Sequence, residues 1–194
     1  TQQFVTALSD SVIEKAFHQL PAAAFNLRGE KLIREMKERR DHIPAAMKEY
    51  YHFISKIADI RGTQKNEFVQ ITDTEDGGLR ITARKINKEG ELKDKLMDRQ
   101  FDPSVTREVR IYLGAGRDSV VVENNSSNIK IRIIGGEGYK AYQVNSSKKK
   151  IRLYDQTASA HLHDAGRRVR SRLSSDTAIT SFVPTNLYHI TIPL

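Results

Sequence analysis

Two imidazoles and a carboxylate stand together in His161-Leu162-His163-Asp164. In an extended segment His161 and His163 share one side. With Asp164 beside them they could ligate zinc or nickel through nitrogen and oxygen. No further His, Asp or Glu falls at a recognisable ligand spacing, so the favoured reading is an exposed polar loop with no metal. His18, His42, His52 and His189 are scattered and lack partners in the sequence. A chain without cysteine has no disulfide scaffold, no thiolate metal site and no thiol nucleophile. No G-x-S-x-G, H-E-x-x-H or paired-acid pattern offers a hydrolytic centre. No catalytic residue and no cofactor is therefore expected, and the chain itself is read as non-enzymatic.

Two glycine clusters come next: Gly114 and Gly116, then Gly135, Gly136 and Gly138. A phosphate cradle needs its glycines to open a helix, and here each cluster runs into a strand-like segment. A calcium loop of the G-G-x-G-x-D-x-U-x type needs an acid after the third glycine. Asp118 meets that demand in the first cluster, but Lys140 takes the place in the second, and an ammonium repels calcium. The 22-residue offset between Gly114 and Gly136 also misses a nonapeptide register. Structural turns are the better reading for all five glycines.

Thirty-two basic and 24 acidic side chains give a net charge of +8. The excess lies in residues 101–194, with 14 basic against 8 acidic groups. Its densest parts are Lys148, Lys149 and Lys150, and the run Arg167, Arg168, Arg170 and Arg172. The plainer reading of the lysines is a solvated turn, and the arginines alternate with small residues; all seven are candidates for contact with anions or a membrane surface. Aromatic residues make up only 7% and fall mostly at core-like positions, which disfavours nucleic acid as the partner. Anionic lipid and lipopolysaccharide remain as candidate partners.

The elements that must hold these residues are of two kinds. Residues 1–62 read as helical. Ser11 and Glu14 have capping-box spacing, and Val12, Ile13, Ala16, Phe17 and Leu20 share a face up to Pro21. A second helix is predicted over residues 30–40. A third starts at Pro44, with Met47, Tyr50, Tyr51, Ile54 and Ile57 as its apolar face and Gly62 as its stop. From about Glu67 the period changes to two. Short strand-like runs follow around Phe68, Leu79, Val109, Ser119, Ile129, Ala141 and Ile151, with residues 91–101 as a charged edge strand. Within them Arg110-Ile111-Tyr112-Leu113-Gly114 echoes Arg132-Ile133-Ile134-Gly135-Gly136, and Ile151-Arg152-Leu153-Tyr154 repeats the strand part. Stacked units of this kind suggest a solenoid-like or meandering sheet. The expected fold class is α+β. Its parts are a helical segment (1–62), a β-rich domain with glycine turns (63–155) and a basic extended connector (156–194). Thr1 is followed by no charged and apolar leader, so the start reads as that of a fragment.

Three stretches carry a resemblance. They are Leu8-Ser9-Asp10-Ser11-Val12-Ile13-Glu14-Lys15-Ala16-Phe17, Arg39-Arg40-Asp41-His42-Ile43-Pro44 leading to Tyr50-Tyr51, and Phe101-Asp102-Pro103-Ser104-Val105-Thr106-Arg107-Glu108-Val109-Arg110-Ile111-Tyr112. In this order, and continuing through the glycine clusters, they resemble the region of bacterial outer-membrane proteins that joins a calcineurin-like metallophosphoesterase domain to a C-terminal surface-antigen β-barrel. The tail from Thr185 to Leu194 looks like the approach to a first barrel strand. The resemblance implies an outer-membrane, extracytoplasmic location and neighbouring domains of the same polypeptide as partners. It implies a non-catalytic connecting role, since the D-x-H, G-D-x-x-D and G-N-H-D/E blocks of the phosphoesterase are absent from this chain. The alternative is an independent polyanion- or carbohydrate-binding protein.

Overall fold

The computed structural model describes residues 1–163, 166–181 and 190–193. The chain divides into two units, Thr1–Phe53 and Ile54–Leu194. The fold class is α+β, as expected from the change of period.

The first unit has helices α1 (Gln2–Ala7), α2 (Asp10–Phe17) and α3 (Ala22–Ile54). The cap of α2 is Ser9, two residues before the serine of the expected capping box; its side chain accepts from the Val12 amide at 3.4 Å. A serine at either position could cap, and Asp10 decides between them. As the first helical residue it takes the Arg40 guanidinium at 2.6 Å, while Lys37 reaches Glu14 at 2.5 Å. Arg40, then Lys37, hold the Asp10 carboxyl below its usual range. Ile13 and Ile33 are the buried apolar side chains of this unit.

Helix α3 runs unbroken through Pro44, where the sequence reading placed a new start. Proline removes one amide donor and crowds the preceding turn, at a cost of about 3 kcal/mol in a helix interior. Good helix formers on both sides, Glu38, Arg39 and Arg40 before and Ala45, Ala46, Met47 and Lys48 after, carry the helix across that position. It stops at Ile54, so Ile57 and its neighbours belong to a strand and not to the helix.

The second unit holds β1 (Ile57–Arg61), β2 (Glu67–Asp73), β3 (Leu79–Ile86), β4 (Leu92–Phe101), β5 (Glu108–Tyr112), β6 (Asp118–Asn124), β7 (Lys130–Ile134), β8 (Lys140–Ser147), β9 (Ile151–Gln156), β10 (Ala160–His163), β11 (Val169–Ser174) and β12 (Ile190–Pro193). They form two six-stranded sheets, ordered β11-β9-β7-β5-β1-β12 and β10-β8-β6-β2-β3-β4. From β5 to β11 the chain alternates between the sheets; β5 and β6 lie parallel to β1 and β2, and from β7 on each strand lies parallel to the strand two before it. This is a two-sided parallel coil. Glu108 faces Lys130, 22 positions on, Arg132 faces Arg152, 20 on, and Ile151 faces Val169, 18 on. The hairpin β3–β4 is the antiparallel departure, extending the second sheet beyond β2.

Alternation explains the core. In β2, β5, β6 and β9 every second residue is buried, so Ile71, Ile111, Val122 and Leu153 meet between the sheets while the residues between them face outward. The glycine turns follow from the stacking. Gly114 has a φ of +74°, and a Cβ on Gly136 would strike the Gly114 carbonyl oxygen of the coil below.

The segment 156–194, expected to be an extended connector, supplies β10, β11 and β12 to the two sheets. Of the tail expected to approach a barrel strand, residues 182–189 and Leu194 lie outside the described residues. Ile190–Pro193 pairs in parallel with β1, Ala58 facing Ile190 and Ile60 facing Ile192.

Candidate functional site

The parallel register turns single residues into columns. Glu67, Asp118 and Lys140 open β2, β6 and β8; Lys140 faces Asp118 directly, and Phe68 facing Ser119 brings Glu67 beside Asp118. All three are buried. The Lys140 ammonium lies 2.9 Å from the Asp118 carboxylate and donates to the carbonyls of Gly116 (2.7 Å) and Glu137 (2.6 Å). Asp118 also accepts from the Glu67 amide at 2.9 Å, and the Glu67 carboxylate accepts from the Thr63 amide and hydroxyl. Burial pushes Asp118 up to about 7 against the pull of Lys140, and it raises Glu67 as well. Beside this column the buried Asp155 accepts from the Tyr142 hydroxyl at 2.7 Å, and burial raises both groups.

These are perturbed titratable groups, yet their geometry is that of a structural lock. The Lys140 ammonium is fully buried, donates to the Gly116 and Glu137 carbonyls and pairs in charge with Asp118 at 2.9 Å, so it is committed within the fold. Lys140 thus does in the second glycine turn what a calcium ion would do in a loop with an acid there. It neutralises the carboxylate of the neighbouring coil and ties down the turn carbonyls.

His161 and His163 lie on β10 and are exposed, with the His161 ring stacked on Tyr139 at 4.2 Å. Asp164 lies outside the described residues. Among the described residues no three His, Asp or Glu side chains are grouped to hold a metal.

The basic candidates separate by place. Lys148, Lys149 and Lys150 form the exposed turn between β8 and β9, where Lys148 donates to the Ser126 carbonyl at 2.8 Å. Arg167 and Arg168 sit in a 3-10 turn (Gly166–Arg168) that leads into β11. Arg170 and Arg172 are on β11 itself, and the register aligns Arg170 with Arg152, Arg152 with Arg132 and Arg132 with Arg110. Both neighbours of each inner member, such as Ile131 and Ile133 or Ile151 and Leu153, are buried, so these arginines form one column on the outer face of the first sheet.

Charge along that column is uneven. At the β1 end Asp59 faces Arg110, and Glu108 binds both Arg110 (2.7 Å) and Arg132 (3.0 Å). The Arg132 guanidinium lies 5.6 Å from the centre of the Tyr154 ring. At the β11 end Arg152, Arg170 and Arg172 have no carboxylate partner among the described residues. They line a cleft of ≈ 570 Å³ with Tyr154, and Lys130, Lys149 and Lys150 flank an adjoining cleft of ≈ 200 Å³. Arg110, Arg132, Arg152 and Lys130 were not among the sequence candidates. The signal for the three arginines was the internal echo, which sets Arg110, Arg132 and Arg152 in equivalent positions; Lys130 lies outside it.

No family model, no curated protein and no solved structure matches the chain.

Proposed function

We propose that the chain is a non-catalytic connecting and interaction module of a larger outer-membrane protein, holding a metallophosphoesterase domain in place relative to a β-barrel. The observation that carries this reading is the pairing of β1 with β12. The strand that enters the second unit and its last described strand run side by side for four residue pairs, Ala58–Ile190 to Arg61–Pro193. Parts of a polypeptide attached before and after such a unit would be held through this one edge, while the coils from β5 to β11 stack away from it. The sequence resemblance supplies what those parts would be. The commitment of the buried charges to structure supports a non-catalytic role.

The coding region on either side of this segment tests the reading. Upstream D-x-H, G-D-x-x-D and G-N-H-D/E blocks and a downstream series of alternating amphipathic strands are expected. A start codon and a stop codon close to the two ends would overturn it.

A second reading, polyanion or carbohydrate binding, is favoured by the arginine column. The two are compatible, because a connecting module can also carry a ligand site.

A further inference from the structure

We propose that the outer face of the first sheet binds an acidic polysaccharide laid across the strands, with Arg152 and Arg170 as the principal anion contacts. This deepens the carbohydrate-binding reading and rests on it, independently of the connecting role.

Spacing supports this first. Neighbouring strands in a sheet lie about 4.8 Å apart, so Arg110, Arg132, Arg152 and Arg170 present four guanidinium stems over about 14 Å. A glycan chain advances by about one such step per sugar. A polymer with one carboxylate, sulfate or phosphate on each sugar would therefore offer anions at a spacing comparable with that of the arginines. Guanidinium forks bind such groups through two parallel N–H bonds.

Unspent charge locates the site within the column. Glu108 already binds Arg110 and Arg132, which orders them against the sheet. Arg152 and Arg170 have no such partner among the described residues and line both clefts; Glu108 lines the smaller one, where Lys130, Lys149 and Lys150 outweigh it. The anion site is therefore concentrated at the β11 end, and a ligand of two or three charged sugars already spans it.

The shape of the face selects the ligand class. A bilayer is flat and is gripped by apolar side chains that enter it. On this face Ile134 is buried between Tyr112 and Tyr154, the exposed Leu173 lies within the lining of the larger cleft, and both clefts are concave. Single-stranded nucleic acid needs open aromatic platforms. The Tyr154 ring here is engaged by Arg132. A hydrated chain with regularly spaced anions meets neither obstacle.

The test is titration of the whole chain with polygalacturonate oligosaccharides of about eight sugars, in low and moderate salt. Arg152→Gln with Arg170→Gln is the test variant. Lys15→Gln with Lys88→Gln, two exposed lysines elsewhere, is the charge-matched control. Arg152→Lys with Arg170→Lys keeps the charge and removes the fork. Unchanged far-UV circular dichroism and melting establish that each variant is folded. The expected result is saturable binding, weakened at least tenfold in the glutamine pair, by an intermediate factor in the lysine pair, and less than twofold in the control. The log–log salt slope should shrink by roughly 1 to 2 in the glutamine pair. No binding by the unaltered chain, or equal losses in the glutamine pair and the control, would overturn the proposal. Tighter binding to phosphatidylglycerol vesicles or to a single-stranded oligonucleotide would overturn it too. None of these outcomes bears on the coding-region test of the connecting role.

Discussion

Replacing Lys140 with methionine keeps most of the side-chain volume and removes the cation that faces Asp118. Both members of this pair are 0% exposed, so bulk solvent does not screen the charge left behind. Taking away one partner of a buried ion pair costs about 3–5 kcal/mol, because the other charge stays behind unpaired. For a chain of this size each kcal/mol moves the melting temperature by about 2–4 °C, so a fall of roughly 10 °C is expected near pH 8.5. The pH dependence makes the test sharper. Asp118 is raised from 3.8 to about 7 in the fold, so its contribution to stability is full below about pH 4 and is lost as pH rises through about 7. Lys140 lowers that value, so its removal raises the value further and enlarges the loss at high pH. The deficit of Lys140→Met should therefore be small near pH 5 and largest near pH 8.5. Adding Asp118→Asn removes the stranded charge while an amide oxygen remains for the Glu67 N–H. The double variant should then return to within about 1–2 kcal/mol of the parent. Urea denaturation followed by far-UV circular dichroism at the two pH values measures all of this. A deficit that is the same at both pH values, or a double variant as unstable as the single one, would refute the assignment of Lys140 as the lock of the column.

Three further outcomes follow from particular contacts. Ile111→Ala, at a fully buried position between the sheets, should cost about 2–5 kcal/mol in the same denaturation experiment. Gly136→Ala puts a methyl group on the Gly114 carbonyl of the adjacent coil and should cost at least about 1–3 kcal/mol, while Gly90→Ala, where a Cβ meets nothing, should cost less despite its positive φ. Ser9→Ala should lower the stability of the helical unit by about 1 kcal/mol, and Ser11→Ala should leave it nearly unchanged; thermal melts of the two variants separate them.

Much of the second unit was legible in its sequence because burial there follows a period of two. Phe68, Val109, Ser119, Ile129, Ala141 and Ile151 all mark strands that exist, and the charged stretch around Lys93 and Lys95 is indeed an edge strand. Strands β1, β10 and β11 were missed for a common reason. Ile57-Ala58-Asp59-Ile60 is too short for its period to tell helix from strand, and β10 and β11 are polar on most positions. What makes them strands is the parallel partner, which local pattern does not contain. Pro44 misled in the opposite direction, since proline is as well suited to a first turn as it is costly inside one.

The site shows the same division. The tail lysines and arginines stood out by local density, yet the column they join depends on residues about 20 apart. The echo of Arg110, Arg132 and Arg152 held that information, because in a parallel coil equal positions in successive units become neighbours in space. The buried Lys140 could be seen only as a misfit to a calcium loop. Its ion pair with Asp118, one coil away, explains why a lysine stands there.

The strand pairing on which the connecting role is built is tested most directly by a cross-link between the entering and closing strands. The chain has no cysteine, so Ile60→Cys with Ile192→Cys introduces a single thiol pair at facing positions on β1 and β12. Ile111→Cys with Ile133→Cys, facing on β5 and β7, serves as the reference pair. Both pairs are expected to close within one chain on mild oxidation, seen as faster migration on a non-reducing gel. If the reference pair closes and the β1–β12 pair does not, the two strands do not share an edge, and the structural basis for the connecting role is contradicted.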